Sequence, residues 1–93
     1  MEIKEEKVLK YIKITEKALA KIKFKKNLEP YLKKAGEDFL AMATDYYNDA
    51  KYFFEKGELI NAFAAINYAH GWLDAGSKLG VFNVRDSKLF VLK

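Results

Sequence analysis

Positions Val8, Ile12, Thr15, Leu19 and Ile22 follow one another at alternating steps of four and three residues. This is the seam of an amphipathic helix. Lys10, Lys13, Lys17 and Lys21 fall on the opposite side, and the pattern predicts a first helix over about residues 3–26. Asn27-Leu28-Glu29-Pro30 interrupts it, because proline cannot continue a helix and biases the residue before it toward extended backbone. Pro30 suits the first position of a second helix. That helix is predicted over residues 30–56, with Leu32, Phe39, Ala43, Tyr46, Ala50 and Phe53 on one stripe and Leu40, Tyr47 and Phe54 widening it. Gly57 is a stop signal of the left-handed type. A third helix is predicted over residues 58–79, closed by Gly80. Short connections make neighbouring helices antiparallel. The expected fold is all-α, an up-and-down three-helix bundle in a single domain, residues 1–93, with an extended C-terminal arm over residues 81–93. The arm is expected to lie along the bundle; a short strand formed with another chain is the alternative.

The third helix departs from simple amphipathicity. From Leu59 to Leu73 it has no Asp, Glu, Lys or Arg, although 32% of the whole chain is charged. At one hundred degrees per residue, Leu59, Ala62, Phe63, Ile66, Ala69, His70, Leu73 and Ser77 form one face, the expected core side. Ala64, Ala65, Tyr68, Trp72, Ala75 and Leu79 form a second, with Asn61 at its edge. A helix apolar on both sides needs cover on both. The candidates are the C-terminal arm through Phe82, Val84, Leu89 and Phe90, a second copy of the chain, or a different protein. Tyr68, Trp72, Ala65, Leu79 and Asn61 are the expected partner-binding residues, with Tyr68 and Trp72 as aromatic anchors. Gly71 and Gly76 each cost about 1 kcal/mol inside a helix, which points to close approach of another backbone there.

Composition narrows the function. The absence of Cys removes disulfides, thiolate metal sites and cysteine nucleophiles. MEIKEEKVLK has no apolar signal core, and the uncharged run is too short to span a bilayer, so a cytoplasmic protein without membrane insertion is expected. Net charge is uneven. Met1 to Lys34 carries eleven Lys and five Glu, net +6, and the remainder nets −2. A basic first helix fits loose contact with nucleic acid or nucleotide, or a plain solvated face. The single Arg, and the lack of interleaved aromatics on that helix, argue against base-specific reading.

Catalytic motifs are missing. No glycine-rich phosphate loop occurs, and neither Ser77 nor Ser87 sits in a nucleophile elbow. The one constellation with chemical content is His70 with Asp74 one turn on, which would converge with Asp38, Asp45, Asp49 and Tyr52, a boundary stripe of the second helix, if the two stripes face each other. His70, Asp74, Asp45 and Asp49 are the candidate metal ligands. Their spacing is not the Glu-x-x-His of di-metal bundles, and a histidine on an apolar face more commonly hydrogen-bonds inside the core. No cofactor is expected.

Ala35-Gly-Glu-Asp-Phe-Leu40, Tyr47-Asn-Asp-Ala-Lys-Tyr-Phe-Phe54 followed by Glu-Lys-Gly57, and Asn67-Tyr-Ala-His-Gly-Trp-Leu-Asp-Ala-Gly76 with Leu79-Gly80 resemble short archaeal proteins grouped as domain of unknown function 357. Leu89-Phe90-Val91 is similar to that family's ending, so the likeness runs from about Ala35 to Leu92 and helix one matches only in character. The resemblance implies a three-helix bundle and brings no activity. A fainter similarity is to the helical nucleotide-binding and ribonuclease domains named for higher eukaryotes and prokaryotes. Their ribonuclease members place an Arg shortly before a His, whereas here Arg85 follows His70. The expected function is a non-enzymatic helical interaction module acting through self-association or protein binding on the outer face of helix three. The alternatives are a nucleic-acid helper using the basic helix and, more weakly, a metal-dependent site at His70.

Overall fold

The computed structural model describes residues 2–83 and contains three helices: α1 (Glu5–Lys21), α2 (Pro30–Glu55) and α3 (Leu59–Leu79). Both ends of the α2–α3 hairpin follow from local chemistry. Pro30 occupies the first turn of α2, and the Glu29 carboxylate accepts a hydrogen bond from the Tyr31 backbone N–H at 3.0 Å, supplying one of the partners a helix start lacks. At the other end Gly57 adopts φ +77°. Its N–H donates to the Phe54 carbonyl and the Glu58 N–H donates to that of Phe53. These two bonds are the paired closure that a left-handed residue permits. Gly80, at φ +87°, ends α3 in the same way, with its N–H donating to Ser77 and that of Val81 to Gly76.

Helix α3 packs most extensively against α2 and also contacts α1. Two clusters fill the interior. Val8, Ile12, Tyr47, Ala50, Ala62, Ala65, Ile66 and Ala69 make one. Ala18, Ala43, Leu73, Val81 and Phe82 make the other.

The first helix is shorter than its periodicity predicts. It stops at Lys21, and Ile22 turns extended at ψ 137°. The segment that follows reads Ile22-Lys-Phe24-Lys, and its side chains alternate: Ile22 and Phe24 are half-buried, Lys21, Lys23 and Lys25 exposed. An alternating pattern suits an extended strand, and the partner is the start of the C-terminal arm. Phe24 and Phe82 form an isolated antiparallel bridge. Lys25 N–H donates to the Val81 carbonyl at 2.9 Å and Asn83 N–H to that of Lys23 at 2.7 Å. The arm therefore enters the bundle by pairing within its own chain. Val84, Leu89 and Phe90, also expected to cover α3, lie outside the described residues.

Glycines on two helices make room for this bridge. The Phe24 and Phe82 rings meet edge-on with centroids 5.5 Å apart. A Cβ at Gly76 of α3 would overlap the Phe82 ring, and one at Gly36 of α2 would come within 2.8 Å of Phe24 Cε1. Gly76 thus admits an aromatic ring, not the backbone expected from the sequence. A Cβ at Gly71 would meet nothing within 4 Å among the described residues.

Candidate interaction surfaces

The expected core face of α3 is observed: Ala62, Ile66, Ala69, His70 and Leu73 are all buried. The outer face is rotated from its expected centre. Ala65 is buried, and Trp72 is half-buried against Phe39 of α2, with ring centroids 5.2 Å apart. Tyr68 stands over Tyr46 of α2, edge-on at 4.5 Å, and keeps 51% of its surface exposed. The aromatics of α2 therefore cover the flank that Ala65 and Trp72 occupy, so these two residues are withdrawn from the open face. Among the described residues no partner is found for the buried Trp72 indole nitrogen. What remains exposed is Ile60, Asn61, Ala64, Asn67, Tyr68, Gly71, Ala75, Lys78 and Leu79. From Ile60 to Gly71 this stripe carries no charge; the half-exposed Asp74 carboxylate borders it one turn on, and Lys78 follows. Its middle consists of the small residues Ala64, Gly71 and Ala75.

His70 is 1% exposed. Its Nδ1 lies 3.3 Å from the Thr15 hydroxyl of α1, and its Nε2 lies 3.5 Å from Asp74 Oδ1. A carboxylate beside Nε2 favours the proton on that nitrogen, leaving Nδ1 to accept from the Thr15 hydroxyl. Hydroxyl, imidazole and carboxylate in this order resemble a nucleophile with its base. Thr15, however, is fully buried, so its hydroxyl has no route to a substrate. The group instead ties α1 to α3. Asp45 and Asp49 are exposed on α2, and Asp38 pairs with Lys34 at 3.2 Å. Among the described residues no group of three or more His, Cys, Asp or Glu is placed to hold a metal ion, so the convergence of Asp45 and Asp49 on His70 and Asp74 is not observed.

A second polar tie was not foreseen because its partners are distant in sequence. The Tyr47 hydroxyl donates to Glu16 Oε2 of α1 at 2.7 Å. Burial and the bond to Glu16 push the Tyr47 hydroxyl up to about 12, and the same bond, with Lys13 nearby, holds Glu16 below the usual carboxylate range. A raised folded-state value contributes stability below the unfolded value and loses it as pH climbs through the folded one. The stability difference between wild type and Tyr47→Phe should therefore hold steady up to about pH 10 and shrink between pH 10 and about 12. A two-unit shift corresponds to about 2.7 kcal/mol; solvent screening at the exposed Glu16 brings the expected change nearer about 1 kcal/mol. On the acid side the depressed Glu16 gives the opposite sign, with loss as pH falls below the ordinary carboxylate value. Urea titrations of both proteins across these windows would check it, and parallel curves above pH 10 would count against the bond.

Charge is concentrated at the end of the bundle where the bridge lies. Residues 17–34 contain seven Lys and one Glu, net +6. That Glu is Glu29, engaged as the cap of α2. Among the described residues only Lys34 of these lysines has a carboxylate within ion-pair distance. No helix among the described residues is long and apolar enough to cross a membrane.

No curated protein and no solved structure matches the chain. A family model described as protein of unknown function (DUF357) matches residues 10–82, which takes in most of α1, all of α2 and α3, and both halves of the Phe24–Phe82 bridge. The match begins well before Ala35, the start of the resemblance read from the sequence, and covers more than half the chain. The chain therefore belongs to the DUF357 family.

Proposed function

We propose that the protein is a non-enzymatic helical interaction module that pairs with a second copy of itself through the exposed stripe of α3. The observation that carries this reading is the absence of charge along that stripe from Ile60 to Gly71, on a chain of net charge +4. A two-fold interface sets the same patch against itself, so any charge near the axis would meet its like. An uncharged stripe avoids that repulsion. Ala64, Gly71 and Ala75 let helix axes come close, and the Gly71 position supports the same reading. Among the described residues nothing lies within 4 Å of a Cβ placed there, although the glycine costs the helix about 1 kcal/mol.

Sedimentation velocity over a concentration series tests this. Wild type should approach twice its 10.7 kDa mass, and Gly71→Glu should remain monomeric with an unchanged helical spectrum. Gly71→Ala should weaken association, because its methyl points toward the partner. A wild type that stays monomeric throughout the series would remove the proposal.

A further inference from the structure

We propose that the lysine-rich end of the bundle binds single-stranded nucleic acid, with phosphates on its lysines and a base stacked on Tyr31. This site is separate from the α3 stripe and stands or falls independently of it. Three observations converge there. First, the segment after α1 is extended from Ile22, so Lys23 and Lys25 project on one side at alternate positions, about 7 Å apart, just beyond Lys21 at the helix end. Cations at this separation track a flexible phosphate backbone, whereas lysines around a helix would diverge. Second, Phe24, Lys25, Lys26, Asn27, Leu28 and Lys33 line a surface depression of about 620 Å³. Its lining joins an aromatic ring and an aliphatic side chain to three ammonium groups. That combination suits a nucleotide, with an apolar flat base and an anionic phosphate. Third, Tyr31 is 84% exposed in the first turn of α2, between Lys26 and Lys33 in sequence.

An exposed ring flanked in sequence by lysines distinguishes this end from a plain solvated face. Its own fold leaves the Tyr31 ring in water, a cost that stacking on a base would relieve. Lysine binds phosphate as a point charge and reads no bases, so a single strand taken without strong sequence preference fits better than a specific duplex site. An anionic bilayer would use the lysines and could seat the Tyr31 ring at its interface, but it would leave the depression without a role.

Fluorescence anisotropy with a labelled mixed-sequence RNA twelve nucleotides long provides the test, with a DNA strand and a duplex of equal length beside it. Contacts from four lysines predict a salt slope of about −2.8, or roughly 50-fold weaker binding between 50 and 200 mM salt. Lys25→Ala/Lys33→Ala should lower that slope by about 1.4. Tyr31→Ala should weaken binding about 5- to 160-fold while leaving the slope unchanged. These side chains are exposed, and circular dichroism confirms that each variant is folded. Binding that ignores Tyr31→Ala, a duplex bound as tightly as the single strand, or stronger attachment to phosphatidylglycerol vesicles than to RNA would each overturn the proposal.

Discussion

Gly76→Ala should destabilise the protein strongly, whereas Gly71→Ala, five positions earlier in the same helix, should stabilise the monomer in dilute solution. General helix propensity favours alanine over glycine at both sites, by about 1 kcal/mol. At Gly71 a methyl meets nothing within 4 Å among the described residues, so the gain is realised. At Gly76 the methyl overlaps the Phe82 ring, which is 1% exposed and linked by its backbone bridge to Phe24. A ring buried to this extent and packed edge-on against Phe24 has no open space to swing into. Overpacking of this kind costs about 1–3 kcal/mol, and each kcal/mol lowers the midpoint of thermal unfolding by about 4–8 °C in a domain this size. Phe82→Ala alone should cost about 3–5 kcal/mol. The pair is diagnostic in combination: once Phe82 is truncated, Gly76→Ala should cost nothing or help, giving a large coupling energy. Additive effects of the two substitutions in thermal melts would mean that the glycine does not exist to seat the ring.

The parts of this fold that a reader of the sequence recovers are those decided within a few residues. Pro30, Gly57 and Gly80 each act on the backbone where they stand, and α2 and α3 begin and end within one residue of expectation. The end of α1 is different. Ile22 continues the four-and-three seam and also opens an alternating Ile-Lys-Phe-Lys run, so the local pattern supports both helix and strand. The decision is made by Val81 and Asn83, at the far end of the chain, whose carbonyl and N–H on either side of Phe82 complete the pairing. Gly36 and Gly76 carry the trace of that event in the sequence, as helix glycines with no local use. The division of α3 failed at one edge for a related reason. Its buried arc is the sum of two contact directions, toward α1 and toward α2. The α2 direction takes in Ala65 and Trp72, which a single opposed face excludes. His70 was legible as a core histidine, but its anchor Thr15 was counted only as a seam position.

Trp72 is the residue whose meaning the structure changes most, and its substitutions should show this. As a partner anchor it would be dispensable to the isolated monomer. As a wedge against Phe39, within the cluster that surrounds Leu73 and Phe82, it is part of the fold. Trp72→Ala should therefore destabilise the monomer by about 3 kcal/mol, the lower end of the range for large aromatics because the ring is only partly buried. Tyr68→Ala should cost clearly less, since half of that ring already faces water. Trp72→Phe separates ring from polar atom. It keeps an aromatic face for Phe39 and removes a buried indole N–H that has no partner among the described residues. Leaving such a donor unsatisfied costs about 1–3 kcal/mol, so its removal should offset much of the lost ring area, and the variant should melt close to wild type. Chemical denaturation followed by circular dichroism, which does not depend on the tryptophan, measures all three. If Trp72→Ala proved neutral to monomer stability while abolishing association, the open face of α3 would again centre on Trp72. If the predicted order holds, Trp72 belongs to the scaffold, and association is to be sought along Ala64, Gly71 and Ala75, where a side chain can be added without disturbing anything beneath it.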